Sequence, residues 1–116
     1  MDTDELFIER LLHVAPELKG AYDEHLVDND MLLPHVFMGD VTRFVVTAAT
    51  NVDSLAVVQR ILDYFENELK AGEAESLELI RASFVENLIG EETVLNKLKP
   101  MMGPCLRGEI EAICGT

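Results

Sequence analysis

Apolar residues recur at helical intervals along nearly the whole chain. From Asp53 onward, Leu55, Val58, Leu62, Phe65 and Leu69 follow at alternating spacings of three and four, which sets them on one stripe of a helix about five turns long. Asp53 is placed to cap that helix and Gly72 to stand just past its end. The next segment repeats the pattern, with Leu77, Ile80, Phe84 and Leu88 as the stripe and Gly90 as the stop. Two amphipathic helices joined by a few residues around Gly72 are expected to pack antiparallel as a hairpin.

Asp2 with Glu5 three residues later matches a capping box, and Leu6, Phe7, Ile8, Leu11 and Leu12 supply an apolar face. Pro16 suits the first position of a second helix, in which Leu18, Tyr22 and Leu26 keep the period. Asp28-Asn29-Asp30 then predicts a polar loop. Residues 31–50 read two ways. Pro34 suits a helix start with Phe37, Val41, Phe44, Val45 and Ala48 facing a core, whereas β-branched Val41, Thr42, Val45, Val46, Thr47 and Thr50 favour a strand. No other segment alternates with period two, so a strand would lack a partner. The segment is therefore predicted to be helical, as one helix or two, and its apolar character makes it the expected most buried element. Val94, Leu95 and Leu98 predict a short helix. Pro100-Met101-Met102-Gly103-Pro104 forces a bend, and Leu106, Ile110 and Ile113 predict a final helix ended by Gly115. The expected fold is all-α: one compact domain over residues 1–116, a bundle of six or seven helices whose antiparallel hairpins resemble a short α-hairpin stack.

Composition narrows the function classes. Apolar residues make up 48% and charged residues 27% of the 116, the balance of a soluble globular chain and too apolar for disorder. No apolar run approaches the roughly 20 residues of a membrane span. The acidic start, Met1-Asp2-Thr3-Asp4-Glu5, lacks the basic residues of an export signal, so a cytoplasmic location is expected. A formal charge of −13 argues against nucleic-acid binding, which depends on Lys and Arg displacing counterions from phosphates. The same field favours a basic protein surface, in a salt-sensitive manner. Residues 1–40 alone carry −8 of that charge. Asp23, Glu24, Asp28 and Asp30 are the centre of the candidate partner-docking face, against the plainer reading that the acids serve solubility.

Candidate chemistry is sparse. Cys105 and Cys114 lie nine apart, on opposite faces of a shared helix, so they are not expected to bond to each other. Neither belongs to a Cys-x-x-Cys pair. His13, His25 and His35 form no ligand-spaced set, and His13 and His25 sit near predicted helix C-termini, where the helix dipole favours them. Asp28-Asn29-Asp30 begins like a calcium loop, but Leu32 and Leu33 stand where an oxygen ligand and a glycine are needed. Ser54, Ser76 and Ser83 lack nucleophile flanks, and the glycines form no phosphate cradle. No catalytic residue, metal or cofactor is expected. One polar cluster, His35, Asp40 and Arg43 with Gly39 and Thr42, interrupts the most apolar stretch. A buried charge must be paired, so Arg43 is expected to meet either Asp40 at i, i+3 or Glu86 on a neighbouring helix, with Asn87 closing nearby carbonyls. The alternative is a small polar pocket in which His35 exchanges a proton.

These residues carry a resemblance. The stretch Leu32-Leu33-Pro34-His35-Val36-Phe37-Met38-Gly39-Asp40-Val41-Thr42-Arg43 resembles the Leu-Leu-Pro-His-x-Phe-x-Gly-Asp-x-Thr motif of a family of small, acidic, uncharacterised bacterial proteins. Ile61-Leu62-Asp63-Tyr64-Phe65-Glu66 fits that family's long helix, and Ser83-Phe84-Val85-Glu86-Asn87-Leu88 its later Ser-Phe-x-Glu-Asn-Leu segment. The similarity spans most of residues 17–110. It implies a compact all-α domain of bacterial origin and implies no reaction. In outline such proteins are similar to immunity proteins that neutralise toxins, an analogy of class and not of site.

Three functional readings follow. The first is a non-enzymatic interaction module, of the immunity-inhibitor type, whose acidic N-terminal face docks a basic protein. The second is a homo-oligomeric structural or scaffold domain that associates through Met101, Met102 and neighbouring apolar residues around the proline bend. The third is a small-molecule binder or enzyme using His35, Asp40 and Arg43.

Overall fold

In the computed structural model, which describes residues 2–114, helices follow one another with short connections. The order is α1 (Thr3–Val14), a 3-10 turn (Pro16–Leu18), α2 (Lys19–Asn29), α3 (Pro34–Ala48), a 3-10 turn (Val52–Ser54) and α4 (Leu55–Ala71). Then come α5 (Ala74–Ile80), a π-helical turn (Arg81–Val85) and α6 (Glu86–Ile89), which run as one continuous helix, followed by α7 (Glu92–Leu98), a 3-10 turn (Lys99–Met101) and α8 (Pro104–Cys114). No strand occurs among the described residues, so the all-α reading holds. The Val41–Thr47 stretch is helical because its apolar positions seven and four apart face one core, which outweighs the strand preference of its β-branched residues. Residues 31–50 contain one α-helix and not two.

The termini show where local signals act. Asp2 accepts a hydrogen bond from the Glu5 amide at 2.8 Å, the N-cap half of the predicted box. Gly72, at φ 76°, occupies the left-handed region that closes α4 and lets the chain turn back, and α5 packs on α4. The cap expected of Asp53 belongs instead to Asn51. Its side chain accepts from the Asp53 amide at 3.0 Å and starts a 3-10 turn ahead of α4. The polar loop expected at 28–30 begins later, because Asp28 and Asn29 complete α2 and only Asp30 leaves it, at φ 62°. Gly115, the expected stop of the last helix, lies outside the described residues.

The core gathers Phe7, Ile8 and Leu11 of α1, Phe37, Met38, Val41 and Val45 of α3, and Leu98, Leu106 and Ile110 near the C-terminus around α4. The α4 helix, and not α3, is the most enclosed element. It buries Val57, Val58, Ile61, Leu62, Tyr64, Phe65, Glu66 and Leu69, whereas α3 leaves Val36, Asp40, Arg43 and Thr47 on an open side. Phe65 stacks on Phe7 at 6.0 Å and meets Phe84 edge-on at 4.8 Å, and the Tyr64 hydroxyl donates to the Phe7 carbonyl at 2.8 Å. Aromatic pairs of this kind add to plain area burial and fix α1 against α4. Met102, expected at an exposed self-association surface, is buried, and Met101 is half-buried. The proline bend turns Met102 inward and leaves Met101 half-buried beside Val52 and Leu55.

Candidate functional site

The polar cluster read from the sequence divides into two sites, and helix geometry explains the division. At about 100° per residue, positions 35 and 42 share a face of α3, whereas position 40 lies about 140° away from 35. Thr42 and His35 therefore face the π-turn. His35 Nδ1 and Ser83 Oγ share a hydrogen bond of 2.7 Å. The buried Thr42 hydroxyl reaches the Met38 carbonyl at 2.8 Å and the Ser83 carbonyl at 3.1 Å. Asn87 Nδ2 donates to the same Ser83 carbonyl at 2.8 Å, the carbonyl-closing role expected of it. Thus two of the three segments that carry the family resemblance meet at residue 83. Glu86 is exposed and does not take part, because Arg43 pairs with Asp40.

On the other side of α3, Asp40 and Arg43 line an open cleft of about 720 Å³ against α2, with Glu24, His25, Asp28 and Asn29. His25 is fully buried at its base, tilted against Phe37 at 5.5 Å. The Leu33 amide donates to His25 Nε2 at 3.0 Å, and His25 Nδ1 lies 3.2 Å from Asn29 Nδ2 and 3.6 Å from Asp40 Oδ2. Asn29 Nδ2 donates to the His25 carbonyl at 2.9 Å and closes the last turn of α2. His25 therefore ties the 30–33 connection to α2, and the dipole-stabilising role expected at a helix terminus is not its main one. Because His35 and Asp40 occupy different sides of α3, the pocket expected from His35, Asp40 and Arg43 together is not assembled.

The four predicted docking acids also divide. Glu24 and Asp28, one turn apart, line the cleft beside Asp40 and make no ion pair among the described residues. Asp23 turns away to Lys19 Nζ at 2.7 Å, and Asp30 is exposed at the end of α2. The cleft thus presents three carboxylates against one guanidinium, Arg43.

Sequence reasoning missed Glu66. This buried carboxylate on α4 accepts the amides of Cys105 and Leu106, each at 2.9 Å, and so caps α8 from another helix. Burial pushes its pKa up, but the amides of Leu106 and Cys105, the Cys105 thiol and the Lys70 charge outweigh that and hold it below the usual carboxylate range. The same carboxylate pushes the Cys105 thiol up, away from thiolate reactivity. The available signal was Gly103 before Pro104: a helix start with no capping side chain of its own must find one elsewhere. No group of three or more His, Cys, Asp or Glu side chains suited to a metal ion occurs among the described residues. Nor is any helix there long and apolar enough to cross a membrane.

Neither a curated protein nor a solved structure matches the chain. A family model described as Domain of unknown function (DUF7674) matches residues 8–114, and the chain belongs to that family.

Proposed function

We propose that this chain is a non-enzymatic protein-interaction module, an inhibitor of the immunity type, that receives a basic partner in the acidic cleft between α2 and α3. One observation supports the reading above others: Glu24 and Asp28 share an open cleft with Asp40, where Arg43 is the single base. Asp40 already holds the Arg43 guanidinium, and an incoming arginine would make the same kind of carboxylate contact with Glu24 and Asp28. The polar groups of the α3–π-turn junction are engaged with one another, whereas Glu24 and Asp28 in the cleft enter no ion pair among the described residues. With −13 overall, the approach of a basic protein is steered by the field of the whole molecule.

The test is an amide-shift titration with a hexa-arginine peptide. Shifts are expected at Glu24, Asp28 and Asp40, weakening as salt rises from about 0.05 to 0.3 M and charges become screened. A Glu24→Gln/Asp28→Asn variant is expected to lose most of the response. Undiminished binding by that variant, or insensitivity to salt, overturns the assignment of the cleft.

A further inference from the structure

Across α2 from the acidic cleft lies a second depression, of about 530 Å³, between α1, α2 and the 30–33 connection. Its walls are apolar: Leu12, Leu26 and Leu32 are half-buried, and Met31 is 60% exposed at the edge. Glu5 and Glu9 stand along the α1 rim one helical turn apart, about 6 Å in rise, and neither enters an ion pair among the described residues. The nearest base on α2, Lys19, is held by Asp23 over the Tyr22 ring.

We propose that this groove docks an amphipathic basic helix of the partner. An apolar floor with an anionic rim selects that chemistry over the other occupants. A second copy of this chain brings −13 of like charge to an acidic rim and is repelled. A purely cationic segment leaves the apolar walls wet, and a purely apolar one leaves Glu5 and Glu9 unused. A helix with apolar residues at i, i+3, i+4 and i+7 covers Leu12, Leu26, Met31 and Leu32, and its Lys or Arg residues one turn apart meet Glu5 and Glu9. Met31, unbranched and polarizable, adapts to different apolar partners at the edge. The inference rests on the reading that the partner is basic, and it adds the place where the partner's apolar face is seated.

The experiment titrates an 18-residue, helix-stapled Leu/Lys peptide of amphipathic pattern against a scrambled peptide of the same composition. The amphipathic peptide is expected to shift the amides of Leu12, Leu26 and Met31 and to bind about tenfold more tightly than the scrambled one, since only it buries several apolar side chains together. Met31→Ser and Glu5→Gln/Glu9→Gln, all at exposed positions, are each expected to weaken it about threefold, with the spectrum of each free variant confirming the fold. Glu24→Gln/Asp28→Asn, outside the groove, is expected to weaken it less than either of these, through the smaller net charge alone. Equal binding of the scrambled peptide, or an unchanged Met31→Ser, overturns the groove. Amphipathic-peptide shifts confined to Glu24, Asp28 and Asp40 overturn it as well, while leaving the cleft reading in place. Loss of hexa-arginine binding with the groove response intact overturns the cleft alone.

Discussion

Replacing Glu66 tests how this fold starts its last helix. The carboxylate is buried and accepts two α8 amides at 2.9 Å each, charge-assisted bonds at the positive end of a helix dipole. In Glu66→Ala both donors lose their partner, at a cost of about 1–3 kcal/mol each, partly offset by no longer burying a charge. The net expectation is about 3 kcal/mol of lost stability. Glu66→Gln keeps one acceptor oxygen and is expected to lose about half as much. With a urea slope of about 1.5 kcal/mol per molar, the alanine variant moves the unfolding midpoint down by about 2 M.

Acid gives the sharper test, because the folded pKa of Glu66 lies below its ordinary value. A carboxyl of that kind stabilises the fold above its unfolded pKa, near 4.3, and loses the contribution as pH falls through the lower folded value. The stability difference between wild type and Glu66→Gln is therefore expected to be full at pH 7 and to narrow from about pH 4 downward. Equal stability of the two proteins at pH 7, or a difference that does not change on acidification, refutes the capping argument.

Gly103→Ala places a Cβ 2.4 Å from Glu66 Cδ, so the carboxylate must shift off the α8 amides. Its destabilisation is expected to be strongly non-additive with Glu66→Ala in urea unfolding of the single and double variants. His25→Leu leaves the Leu33 amide without an acceptor and is expected to cost about 1–3 kcal/mol, with hydrogen exchange at Leu33 accelerating more than at core amides of α4. Thr42→Val keeps the shape but deletes the hydroxyl that reaches the Met38 and Ser83 carbonyls. About 1 kcal/mol of destabilisation is expected in thermal unfolding, with amide shifts centred on the π-turn.

What was legible in the chain depended on range. Gly72 and the stripe from Leu55 to Leu69 act within one or two turns, and α4 ends where they place it. Pro16, Pro34 and Pro104 each open a helical segment, because proline suits a first turn wherever the chain goes next. The π-turn was less visible, although its trace is present. Ile80, Phe84 and Leu88 recur in steps of four, and each such step drifts about 40° around a regular α-helix. The wider turn at Arg81–Val85 takes up that drift and keeps Ile80, Phe84 and Leu88 all buried. Met102 and Glu66 were misread or missed for a different reason. Their surroundings come from elements distant in sequence, and periodicity carries no information about what a bend brings together. His25 falls between these cases, since its partner is only eight residues away but across a loop.

The division of the polar residues on α3 bears on where function is to be sought. Thr42 is buried and bonded across to the π-turn, and His35, Ser83 and Asn87 complete that junction, so substitutions there act first on helix register. Asp40 belongs to the opposite side, where it faces both the structural ring of His25 and the cleft shared with Glu24 and Asp28. A stability defect and a binding defect are therefore separable by position along one helix: Thr42→Val loosens the junction without touching the cleft, and Glu24→Gln or Asp28→Asn alters the cleft from exposed positions. Asp40 alone bridges the two, because removing its carboxylate takes an acid from the cleft and the facing oxygen from His25 Nδ1. Loss of peptide binding in Asp40→Asn thus counts toward the cleft only when Leu33 exchange, which reports His25, stays slow.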